Sequence, residues 1–147
     1  MLYFKVQGCI FYYDIQTFGE KMSKTSTVSR YLLGILYLGS AIAGILGKVP
    51  PPEPEAAQAF MMVLASSGLI YLVKIVELTS AIALLSGFFV PAALFLLAPV
   101  TCIILWFHLA LDISGAPIGI LLTTLWILTA FSYKDVFRTF LQPKPTT

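Results

Sequence analysis

The feature that most constrains this chain is residues 69–112, LIYLVKIVELTSAIALLSGFFVPAALFLLAPVTCIILWFHLALD. The stretch is almost wholly apolar and is broken only by a Gly-Phe-Phe-Val-Pro turn. Each half is long enough to cross the hydrocarbon of a bilayer, which takes about 20 helical residues. A soluble domain would need a charged shell to cover such runs. That shell is missing: 59% of the 147 residues are hydrophobic and 11% are charged, against about 25% charged in a typical soluble domain. Lipid must therefore cover part of the surface. Inside the runs stand Lys74, Glu77, His108 and Asp112. Ionisable groups in hydrocarbon are costly and need partners, so function is sought there first.

Punctuation divides the rest of the chain. Residues 28–47 read as the first membrane span, with Lys21, Lys24 and Arg30 around its start. Gly39, Ala43 and Gly47 fall at steps of four, as do Ser40 and Gly44. Small residues at that spacing let another helix approach closely in lipid. The basic start and Ala41-Ile42-Ala43 also imitate a cleavable signal peptide, but Ile45 and Leu46 carry the apolar run past the cleavage position. Residues 48–55, KVPPPEPE, form an extended connector. Ala56, Ala59, Phe60, Val63 and Leu64 then follow the helical apolar period, with Pro54 in the first turn and Ser66-Ser67-Gly68 as the stop. At about 14 residues, or about 21 Å, this helix is too short to cross. It reads as an amphipathic interfacial helix that lids the bundle.

The second span is predicted over 69–86, the third over 91–111 and the fourth over 118–133. Pro99, near the middle of the third, frees the carbonyl of Phe95 and predicts a kink. The fold class that follows is all-α: an integral membrane four-helix bundle with a short interfacial helix between spans one and two. Residues 1–27 precede the membrane domain of 28–133, and 134–147 form a basic tail whose Pro–Thr end is expected to fray. Met22-Ser23-Lys24 resembles a second start site, so a start at Met1 and one at Met22 are alternatives. Phe4, Phe11, Tyr12 and Tyr13 suit a headgroup layer if the leading segment is used. Basic residues gather before span one and after span four, which places both termini in the cytoplasm and agrees with an even number of crossings.

Composition also excludes some classes. No Lys/Arg cluster with interleaved aromatics suggests nucleic acid. Cys9 and Cys102 make no C-x-x-C pair, and Cys102 reads as a small buried residue of its span. One histidine and two carboxylates make a poor metal set, and no haem motif is present.

The topology predicts where the ionisable groups lie. Lys74 and Glu77 sit about 7 and 12 Å below the outer end of span two, and His108 about 5 Å below the outer end of span three. Each pair shares a helix face at a spacing of three or four. Lys74 and Glu77 can neutralise each other, and Asp112 can orient the His108 ring. With Tyr71, Ser80 and Thr101 as further hydrogen-bonding groups, the expectation is one cluster at one depth. Two roles fit such a cluster: a satisfied network that fixes helix packing, or an outward-facing pocket for a small ligand.

Several short motifs recur in order: Arg30-Tyr31-Leu32-Leu33-Gly34, the proline-rich connector, Lys74-Ile75-Val76-Glu77, Leu84-Leu85-Ser86-Gly87 with Val90-Pro91, Leu97-Ala98-Pro99-Val100, and Phe107-His108-Leu109. On these, the chain from about residue 29 to 133 resembles the DoxX-like family of small membrane proteins. The resemblance implies a four-helix membrane domain and an association with redox systems, since relatives include the small membrane subunit of a thiosulfate:quinone oxidoreductase. Relatives often carry an asparagine about one turn before the histidine, where this chain has Ile103. The implied function is a membrane subunit or accessory of a quinone- or thiol-linked redox system in the inner (plasma) membrane. Its candidate ligand is a quinone at Lys74, Glu77, His108, Asp112, Tyr71 and Thr101, and its partner a membrane or soluble redox protein. No motif assigns catalysis or a partner, and oligomers are compatible with the small-residue steps. The rival readings are a transporter or pore for a small solute or protons, and a non-catalytic scaffold.

Overall fold

The computed structural model describes residues 24–140, with side chains over 25–138. The leading segment, with Cys9, its aromatic residues and the start at Met22, lies outside the described residues, as does the Pro–Thr end. Six α-helices follow in order: α1 (Lys24–Ile45), α2 (Glu55–Ser66), α3 (Leu69–Ser86), α4 (Val90–Ala110), α5 (Ala116–Ser132) and α6 (Lys134–Phe140). A 3-10 turn, Ile113–Gly115, leads into α5. The described residues contain no strand. Helices α1, α3 and α4, and α5 with its 3-10 turn, are long and apolar enough to cross a membrane. They form a ring in which α1 adjoins α3, α3 adjoins α4, α4 adjoins α5 and α5 closes on α1. The all-α four-helix bundle is the predicted fold class.

Backbone chemistry sets the helix ends. Residues Gly47 and Lys48 close α1, with Gly47 in the left-handed region (φ 62). Their amides donate to the carbonyls of Gly44 (3.2 Å) and Ala43 (2.9 Å), the paired bonds of a Schellman cap. Helix α1 thus stops at Ile45, two residues before the predicted end, and begins at Lys24, four before the predicted start, because Thr25 to Thr27 join its first turns. Gly68 (φ 75) breaks the chain between α2 and α3, and Gly87 (φ 81) caps α3. Helix α2 has 12 residues rather than about 14, and Pro54 stands at its N-cap with extended backbone rather than in the first turn. The fourth span starts at Ala116 because the 3-10 turn and Pro117 lead directly into it.

Helix α4 runs unbroken through Pro99. The Trp126 indole donates to the carbonyl of Leu94 at 3.0 Å, tying α5 to α4 just before the residue whose carbonyl the proline frees. The first part of the basic tail forms α6, and Phe137 and Tyr133 pack against the core.

The core contains Leu33, Tyr37, Leu84, Leu94 and Leu97, all fully buried. In lipid, burying leucine away from acyl chains gains little, so close packing and hydrogen bonds must hold the helices together. Both occur at α1. A Cβ at Gly34 would stand 2.9 Å from Leu85, so glycine there sets the α1–α3 approach. On the α1–α5 seam, nearer the start of α1, Ser29 and Thr129 share a hydrogen bond of 3.0 Å. Across the middle, Tyr37 Oη and Thr101 Oγ1 lie 2.7 Å apart and join α1 to α4 diagonally through the centre.

The interfacial helix covers one end of the bundle. Ala57 is fully buried, and the Phe60 ring packs on Trp106 and Phe107 of α4, with centroids 6.1 and 5.6 Å apart. Met62 and Val63 face outward. That pattern suits a helix lying at the bilayer surface with one side on protein and one in lipid.

Candidate functional site

Two polar networks occupy the end of the bundle nearest α2. The first joins α1 and α3. Lys74 Nζ donates to Glu77 Oε2 at 2.9 Å and to Ser40 Oγ at 3.0 Å, and Ser40 Oγ donates to the same carboxylate oxygen at 3.0 Å. Glu77 is 1% exposed at its side chain and Lys74 15%. The carboxylate is buried, while the ammonium reaches the edge of the bundle. Gly44 makes this possible. A Cβ there would stand 2.5 Å from Lys74 Cε and 2.7 Å from Cδ, so the lysine stem lies along the bare backbone of α1. Ser40 and Gly44, one turn apart, thus form a berth for the lysine: one supplies the hydroxyl and the other the space.

The second network joins α4 to the start of α5. His108 Nδ1 lies 3.4 Å from the Asp112 carbonyl and 3.8 Å from its Oδ2. Ser114 Oγ donates to Asp112 Oδ1 at 2.5 Å. The ring rests on Gly115 of the 3-10 turn and Gly119 of α5: a Cβ at Gly115 would overlap it, and one at Gly119 would stand 3.4 Å from Cδ2.

The expected single cluster does not form. Among the described residues, no hydrogen bond or ion pair joins Lys74 or Glu77 to His108 or Asp112. Each predicted pair forms, but the two pairs turn to different neighbours, Ser40 on α1 and Ser114 before α5. Helix α4 ends at Ala110, so Asp112 (φ −141) lies past its last turn, where its carboxylate accepts from Ser114 through Oδ1 and keeps Oδ2 3.8 Å from His108. Tyr71 does not join either network: it is 61% exposed and points outward. Thr101 lies deeper, bonded to Tyr37 and to the Leu97 carbonyl at 2.7 Å. Ser80 is buried with its hydroxyl unpaired. Cys102 is a free, exposed thiol, not the buried residue expected, so it faces the surroundings of α4.

Ser40 and Tyr37 were missed as polar partners. The steps of four containing Ser40 and Gly44 had suggested only close packing. The added signal was that a serine in such a step also offers a hydroxyl to whatever ionisable group the neighbouring helix brings. Among the described residues, no three His, Cys, Asp or Glu side chains gather as a metal donor set. A shallow apolar groove of about 430 Å³, lined by Val28, Leu32, Leu125 and Leu128, opens between α1 and α5 at the other end of the bundle.

Comparison with protein-family models, with curated proteins and with solved structures finds no match for this chain.

Proposed function

We propose that this chain is a DoxX-like membrane subunit or accessory of a redox system, and that Lys74 holds a small apolar ligand bearing acceptor oxygens, a quinone headgroup being the class that fits. One observation carries the ligand assignment. An ammonium has three N–H donors, and Lys74 spends two, on Glu77 and Ser40. The third remains for a ligand, at a side chain that is 15% exposed and set among apolar helices. Glu77 neutralises the charge, so the site accepts a neutral acceptor rather than recruiting an anion. A donor within an apolar surface is what orients a ligand of this kind. His108 and Asp112 form a separate network and have no part in this assignment. The redox association rests on the sequence resemblance.

Topology belongs to the same proposal. Both ends of the described chain emerge on one side of the bundle, as the Ser29–Thr129 bond requires. The distribution of lysine and arginine supports that side as the cytoplasmic face of the inner (plasma) membrane. Extraction of quinone from the protein purified in mild detergent tests the ligand. The wild type should retain it, and Lys74→Met should not. Equal retention by both would end the proposal.

A transport path has less support. Beyond the Tyr37–Thr101 bond the bundle axis is filled by Leu33, Leu84, Leu94 and Leu97, each fully buried.

A further inference from the structure

Arg30 lies in α1 about 9 Å from its N-terminal end. Its guanidinium reaches the turn between α3 and α4, where a Cβ on Gly87 would stand 2.7 Å from Nη1. It also lies over the Tyr31 ring, 4.7 Å from the centroid. Yet Arg30 has no carboxylate partner among the described residues, whose ion pairs are Lys74–Glu77, His108–Asp112 and Arg138–Asp135. Its Nε is buried and unpaired. One turn back on the same face, Ser26 is 3% exposed and its hydroxyl is also unpaired. A planar fork of N–H donors one helical turn from an unpaired hydroxyl, with no carboxylate partner among the described residues, matches a phosphate group.

The neighbouring rings indicate where that phosphate comes from. Phe88 and Phe89, in the turn that Arg30 touches, are 73% and 81% exposed. Phe89 sits in the left-handed region (φ 55), unusual for a bulky residue. Exposed rings beside a cation at a bundle end suit the membrane interface, with rings in the acyl layer and the cation at phosphate level. A dissolved phosphate makes no use of the rings. We propose that Arg30, Ser26 and the Gly87 turn bind the headgroup phosphate of a phospholipid, in the leaflet facing the N-terminal end of α1 and the C-terminal end of α5. This site is at the opposite end of the bundle from Lys74 and is independent of the ligand proposed there.

The test uses the full chain in phosphate-free nonionic detergent. Dioleoyl phosphatidylglycerol, dioleoylglycerol and inorganic phosphate are added separately, and bound phospholipid and the thermal unfolding midpoint are measured. Phosphatidylglycerol should raise the midpoint, and the other two should not. Arg30→Gln should reduce phospholipid retention about tenfold or more, the worth of a hydrogen bond to a charged group. Ser26→Ala should reduce it less, and Arg30→Lys should keep part of it. Arg138→Gln, on the exposed tail helix, should keep all of it. If dioleoylglycerol stabilises as well as phosphatidylglycerol, the rings act alone and there is no phosphate site. If inorganic phosphate does so, the lipid assignment is wrong. Wild-type retention in both Arg30→Gln and Ser26→Ala also overturns the proposal. Should Arg30→Gln not fold, Ser26→Ala and Arg30→Lys decide.

Discussion

Removing Lys74 and removing Glu77 should not cost the same, although they form one ion pair. In Lys74→Met, Glu77 stays buried at 1% exposure and keeps a single donor, the Ser40 hydroxyl at 3.0 Å. Breaking a buried pair from one side costs about 3–5 kcal/mol. The remaining hydroxyl, and the partners an unfolded chain finds in the membrane, put the expected loss near 3 kcal/mol, roughly a hundredfold in the folding equilibrium. In Glu77→Leu the orphan is Lys74, about 7 Å from the end of α3 and already at the edge of the bundle. Its stem can carry the ammonium to the interface, and the loss should be about 1 kcal/mol. The double variant Lys74→Met/Glu77→Leu removes both charges and should return to within about 1 kcal/mol of wild type, since apolar replacements of a buried pair are often neutral. The assay is equilibrium unfolding in mixed micelles with increasing denaturing detergent, run as a double-mutant cycle. The expected coupling, the two single losses less that of the double variant, is about 3–4 kcal/mol. Equal and additive losses for the two single variants would refute the reasoning, because they would mean that the carboxylate is not sealed from water as its burial implies.

Other outcomes follow from the same contacts. Gly44→Val should push the Lys74 stem off α1, breaking its bond to Ser40. Quinone retention should then fall as in Lys74→Met, while Gly39→Val, whose Cβ meets nothing within 4 Å, should leave retention unchanged. Tyr37→Phe removes the hydrogen bond to Thr101 at the bundle centre and should cost about 1 kcal/mol in the same unfolding assay. Phe60→Ala frees α2 from Trp106 and Phe107, and should speed proteolysis of the connector at 48–55 without altering the helix content seen by circular dichroism. A cysteine-free chain carrying Ser67→Cys should react with an impermeant maleimide from outside intact cells, and one carrying Ser86→Cys should not. The reverse pattern would invert the proposed orientation.

The membrane fold was legible in the sequence because it depends on properties that add along the chain. Apolar length, glycine and proline punctuation, and the scarcity of charge set four crossings and one short surface helix regardless of which helix meets which. Span two was placed at its observed ends, Leu69 and Ser86, by the glycines on either side. The depth of Lys74 and Glu77 came from counting residues, and their pairing from a spacing of three. What the sequence could not decide was direction around each helix axis. Whether His108 turns to α3 or to α5 depends on where the backbone is bare, and Gly115 of the 3-10 turn and Gly119 of α5 offer that space. Whether Asp112 also reaches Ser114 depends on where α4 stops, and it stops two residues before Asp112. Ser40 became a partner of Glu77, and Gly44 a bed for Lys74, only once α1 was set against α3. Hydrogen bonds and close approaches need specific atoms within a few ångströms, and those distances exist only after the helices have chosen their neighbours and their rotations.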